Sequence, residues 1–206
     1  DTNVAPGSTV ALVISSGPPV FLMGVQSDPS TGPLVNSLYR IRTDGVVTKI
    51  GDLTHRTHGV AVVGSTLYSV EEQTLSTQAG TPSNLYRVNP ESGATLATIP
   101  LSLSTGESLE GGSGLATEPG TNQLWGLLVV TSEVNSFRRL VTINPTTGLA
   151  TQKAKLPGKF MDLTFDSAGT LYAIADNRPV PGGSTVLPAR IYTVNRTTGI
   201  LTEFLD

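Results

Sequence analysis

One unit of about fifty residues is written four times along this chain, and that repetition leaves few folds open to it. The last copy, Phe160 to Leu205, is the cleanest. FMDLTFDS reads as a strand, AG turns it, and TLYAIAD returns as a second strand. A long polar connection follows, then ARIYTVN, the turn RTTG and a last strand ILTEFL. Apolar residues alternate or run in short blocks, and Gly169 and Gly199 stand where hairpin turns need positive φ.

The earlier copies keep this order after a leader over residues 1–9. The first runs ALVIS, VFLMGV, SLYRIR and VVTKIGDL; the second GVAVV, STLYSVE, NLYRVN and ATLATIPL; the third SGLAT, NQLWGLLVV, RRLVTIN and LATQKAKL. Tyr39, Tyr86, Leu140 and Tyr192 fall in one slot of the third strand, and Gly45, Gly93, Gly148 and Gly199 in one slot of the last turn. Asn-Pro-x-x-Gly, in the second and third copies, puts Pro early in a type I turn and Gly at its left-handed position. The spacing matches propeller blades of four strands. The expected fold is therefore an all-β propeller, four blades of four antiparallel strands each. Residues 1–206 form one domain in this reading, with blades near 10–54, 55–102, 103–157 and 158–206.

Composition agrees and excludes several functions. Charged residues are 14% of the chain, hydrophobic ones 38%, with 22 Gly and 14 Pro. Short strands with many turns have that make-up. A net charge of −3 and scattered basic residues offer no electrostatic footprint for nucleic acid. With no cysteine there is no disulfide, thiolate chemistry or Cys-bound metal. No apolar run approaches the roughly 18–20 residues of a membrane helix. Low lysine content and abundant Ser, Thr and Gly suggest an exported, secreted or periplasmic protein, and no signal peptide is expected at Asp1.

The stretches GLATEPGTNQLWGL, LTFDSAGTLYAIA, LYRVNPESGATLATI and LVTINPTTGLAT resemble the β-propeller superfamily of NHL-, YVTN- and PQQ-like repeats. The resemblance spans residues 10 to 205. It implies the fold and is nearly silent on function, since such propellers serve as enzymes, lectins and interaction platforms. The chain departs from better-marked relatives in lacking a WD dipeptide, a Kelch double glycine and the regular metal-ligand set of calcium-dependent propeller enzymes.

In such a fold the first strand of each blade lines a central channel, and the long connections gather on one face. Those connections are Ser27–Asn36, Glu71–Ser83, Thr131–Phe137 and Asp176–Ala189, with Ser102–Gly112 between blades. Length beyond what closure requires marks a working face. The polar residues that enter the first strands from that face are His55, Arg56 and His58, Glu107 and Glu110, and Lys159 with Asp162. Each also has a structural role open to it: a loop hydrogen bond for His58, a turn contact for the glutamates, backbone amides for Asp162. A metal at His55 and His58 would need a third ligand such as Glu110, and none is expected. No GxGxxG, Walker or nucleophile-elbow pattern occurs. Trp125, with Tyr68 and Tyr172 at its slot, fits interblade core better than a sugar-stacking platform.

The reading is a binding or interaction module without cofactor. Its ligand is a small molecule, glycan or protein held at the long-loop face. The alternative is a hydrolase or lyase for a carbohydrate or ester, pairing His55 or His58 with Glu110 or Asp162. The ring is expected to be a monomer, with a ring-sharing dimer as the other way to close it.

Overall fold

The structure is a computed structural model that describes residues 21–28, 35–72, 83–133, 137–175 and 189–204. Among the described residues it is all β apart from one 3₁₀ turn at Thr131–Glu133, and these strands form four sheets in chain order. The first contains β1 (Phe21–Asp28), β2 (Val35–Arg42) and β3 (Val47–Asp52). The second is the meander β4 (Thr57–Val63), β5 (Thr66–Glu71), β6 (Asn84–Val88) and β7 (Thr95–Pro100). A two-residue strand β8 (Ser102–Leu103) precedes the third meander, β9 (Leu109–Thr117), β10 (Leu124–Val130), β11 (Phe137–Ile143) and β12 (Leu149–Pro157). The fourth is β13 (Phe160–Phe165), β14 (Leu171–Ala175), β15 (Ile191–Val194) and β16 (Leu201–Glu203).

The count of four strands per sheet needs correction. The third sheet has five, because β8 lies parallel to the outer strand β12 in the register Leu149↔Ser102 and Ala150↔Leu103. The sequence reading placed Ser102 in a loop. Two residues carry no readable alternation, and only the open edge of β12 gives their backbone partners. The first sheet has three strands among the described residues, and the expected strand ALVIS lies outside them.

Turn chemistry sets the hairpins. Gly45, Gly93, Gly148 and Gly199 all have φ between 73° and 85°, in the left-handed region where a Cβ would be strained. Asn89, Asn144 and Asn195 close the same turns, each accepting backbone amides on its side-chain oxygen. Asn195-Arg196-Thr197 is thus held as a turn.

The cores lie between successive sheets. Leu38, Val60 and Tyr86 are buried together between the first and second sheets, and Val70, Leu85, Leu115 and Leu128 between the second and third. Leu127, Leu140, Phe160 and Leu163 fill the space between the third and fourth. All seven residues of β10 are buried, because its sheet is covered on both faces. At roughly 1.5–3 kcal/mol per fully buried large apolar side chain, these layers dominate the favourable side of folding. Trp125 and Tyr68 belong to these layers.

Three inner strands stand side by side: β4 packs on β9, β9 on β13, and β13 reaches back to β4. Glycine makes this possible. A Cβ built on Gly59 would lie 2.7 Å from the Cα of Gly114, and one on Gly114 would lie 2.8 Å from the Cα of Asp162. Backbone approaches backbone there, which any side chain would prevent.

Candidate functional site

The inner strands each carry a bulge at the same level. In the pairing of β4 with β5, Thr57 opposes Glu71 and Gly59 opposes Val70, so His58 is the extra residue. Ser113 is extra on β9, between Gly112 and Gly114, and Met161 on β13, between Phe160 and Asp162. Bulges re-aim side chains at sheet rims. Here they sit close to Glu71, Val130 and Ala175, the strand ends from which long connections leave. Parts of four of the connections expected to form the working face (residues 29–34, 73–82, 134–136 and 176–188) lie outside the described residues.

The central feature of this rim is a carboxylate that the sequence reading did not nominate. Glu72 accepts two hydrogen bonds from Arg56, Nε to Oε2 at 3.0 Å and Nη2 to Oε1 at 2.9 Å, and His58 Nε2 lies 2.9 Å from the same Oε1. The Glu72 amide donates to the Arg56 carbonyl at 2.8 Å, and Glu72 forms a parallel bridge to Gly112. The cluster is therefore tied to the third sheet at Gly112, the residue before Ser113. Burial alone would push the Glu72 carboxyl up, but His58 and then Arg56 outweigh it and hold it below the usual glutamate range. Register would have found it: with Thr57 opposite Glu71, the next residue outward on β5 must sit beside Arg56.

His55 is held apart from this cluster. Its Nε2 is 2.6 Å from the Ser69 hydroxyl, and its ring stacks on Tyr86 with centroids 3.6 Å apart. Burial pushes its pKa down to about 4, so the ring is neutral at pH 7. The two histidines, three residues apart in sequence, thus serve different neighbours, and neither meets Glu110 or Asp162 as the hydrolase reading required. Among the described residues, no three His, Asp or Glu side chains gather as a metal-ion set.

The other nominated residues are dispersed around the same end of the inner strands. Glu107 accepts from Arg139 Nη2 at 2.7 Å within the third sheet. Glu110 is half-buried near the start of β9, and Lys159 stands just before β13, after Gly158 with φ 94°. Asp162 occupies on β13 the slot that Gly59 and Gly114 fill on their strands, with one oxygen accepting the Leu163 amide at 2.9 Å. Burial drives its carboxyl well above the usual aspartate range, and the Leu163 bond opposes that only in part. Two further polar residues escaped the sequence reading. Asn36 clasps Thr57 from the first sheet, accepting its amide at 3.0 Å and donating to its carbonyl at 3.2 Å. Ser113, 4% exposed, has a buried hydroxyl without a hydrogen-bond partner in the structure.

Fold and rim together define an all-β repeat protein of antiparallel meanders packed sheet on sheet. The chain belongs to the family described as repeat of unknown function (DUF6923), which matches residues 20–175. No curated protein matches it. Similar solved structures include U3-55K (12% identity over 82% of this chain and 48% of that one, TM-score 0.41). A luciferin-regenerating enzyme is 12% identical over 94% of this chain and 61% of its own, with TM-score 0.44. A gluconolactonase from Xanthomonas campestris is 13% identical over 89% and 67%, with TM-score 0.47. The chain thus spans between 48% and 67% of the length of these proteins, and at such distances none of them lends it an activity. Among the described residues, no helix is long and apolar enough to cross a membrane.

Proposed function

We propose that this protein is an exported four-bladed β-propeller, monomeric, that binds a ligand or partner at the rim where its long connections leave. The four sequence units support the blade count, and the side-by-side inner strands support the radial arrangement. Export rests on the low lysine content and the wealth of Ser, Thr and Gly. The ligand class stays as read from sequence: a small molecule, glycan or protein, and not nucleic acid.

The observation that carries a binding role is the Arg56–Glu72–His58 cluster. A guanidinium held in a fork by one carboxylate is fixed in direction, and Arg56 keeps 38% of its side chain exposed. Such a group presents spare N–H donors at low entropic cost, which suits recognition of a carboxylate or carbonyl. The test is a glycan array and a panel of acidic peptides screened against wild type and Arg56→Ala. Ligands retained by wild type and lost by Arg56→Ala support the role. Equal retention by both removes it.

One observation favours the hydrolase as a second reading. His58 and Glu72 supply the residue types of a base and its orienting acid, and Ser113, next in the chain after the Gly112 that bridges Glu72, has a buried hydroxyl without a partner. Chromogenic ester and glycoside panels decide it. Turnover that vanishes in both Ser113→Ala and His58→Ala would establish catalysis, and none in wild type ends the reading.

A further inference from the structure

The face opposite the long connections holds an open pocket of about 620 Å³ between the third and fourth sheets. That volume lies inside the range of ligand pockets, roughly 300–1,000 Å³. Glu118, from the β9–β10 turn, and Arg196, from the β15–β16 turn, form an ion pair across it. The indole N–H of Trp125 donates to the other oxygen of Glu118 at 3.1 Å, and the Arg196 guanidinium lies 5.7 Å from the Trp125 ring centre. The wall is therefore built and braced by side chains from two sheets.

Its chemistry is unbalanced in two ways. The charges of Glu118 and Arg196 answer each other, so the ammonium of Lys153 leaves the lining with a net positive charge. The side-chain oxygen of Gln152 is buried and accepts no hydrogen bond, although buried acceptors are rarely left without a donor. The hydroxyls of Thr142 and Thr197 complete a wall rich in groups that bond to other hydroxyls. A fitting ligand brings negative charge and several O–H donors.

We propose that this cavity binds an acidic saccharide, about two or three sugar residues long, with a carboxylate on Lys153 and a hydroxyl donating to Gln152, whose side chain turns to bring its oxygen to the ligand. The site is separate from the long-loop rim and does not depend on the function proposed for it. Trp125 is the only tryptophan of the chain and lines this cavity, so a ligand bound there should change its fluorescence. Digalacturonate is titrated by calorimetry and by tryptophan emission, with neutral galactobiose and acetate as comparisons. Digalacturonate should bind with a change in emission, at least ten-fold more tightly than galactobiose or acetate. Lys153→Ala and Gln152→Leu, each with an unchanged melting temperature, should weaken it about ten-fold, and Arg56→Ala on the other face should not. A flat wild-type titration, equal binding of the neutral disaccharide, or full affinity in Lys153→Ala overturns the proposal.

Discussion

His58 Nε2 and the guanidinium of Arg56 reach one and the same oxygen of Glu72, each at 2.9 Å. Arg56 stands just before β4, two residues ahead of His58, and the bulge at His58 leaves both side chains aimed at Glu72. Glu72 is 8% exposed, which makes it the buried member of the group.

Removing that carboxylate should be costly. Glu72→Gln leaves the Arg56 guanidinium facing a neutral amide, and we expect a loss of about 1–2 kcal/mol in urea unfolding at pH 7, scaled down for the exposure of Arg56. Glu72 has its pKa lowered in the folded state, so its contribution is present above the ordinary glutamate value and fades as pH falls through the folded value. The wild type should therefore lose more stability than Glu72→Gln below about pH 4.5. Parallel acid limbs would contradict the assignment.

His55 should resist protonation. Its folded pKa of about 4 lies below the unfolded value, so the unfolded chain takes up the proton first as pH drops from about 6.5. Stability is full above that window and declines through it, by on the order of 2 kcal/mol. A ¹³C-edited NMR titration assigned with His55→Phe measures this directly. A midpoint near 6.5 would show that the ring is not enclosed between Ser69 and Tyr86.

Asp162 should behave in the opposite sense. Its carboxyl pKa is raised on folding, so the stability linked to it is greatest at acid pH and is lost as pH rises through the folded value. Asp162→Asn keeps the acceptor for the Leu163 amide without a charge to bury. It should raise the melting temperature at pH 8 and change it little at pH 3. A lower melting temperature at pH 8 would mean that the ionised carboxylate has a partner that favours it.

The inner strands should tolerate no methyl group at their contact. Gly59→Ala would place a Cβ 2.6 Å from the backbone nitrogen of Leu115, where only backbone can give way, and we expect a loss of about 3 kcal/mol or failure to fold. At Gly126 the nearest obstacle is the end of the Ile143 side chain at 2.9 Å, which can turn aside. Gly126→Ala should cost about 1 kcal/mol. Equal melting temperatures for the two variants would refute the backbone contact between β4 and β9.

Strand positions and turns were open to reading in one dimension, because they depend on neighbours a few residues away. Period-two alternation located fifteen strands to within a few residues, and Asn or Gly at fixed offsets located their hairpins. The choice of Arg56 and His58 as rim residues followed from their place before the second inner strand. Their partner did not, since Glu72 comes beside them only through the register of β4 on β5, and His55 turned away to Tyr86 for the same kind of reason. The close approach of Gly59 to Gly114 and the pairing of Glu118 with Arg196, 78 residues apart, belong wholly to the packing of sheet on sheet. Local pattern fixes which residues extend and which turn; only the stacking of separate units decides which charges meet and which polar atoms are left without a partner.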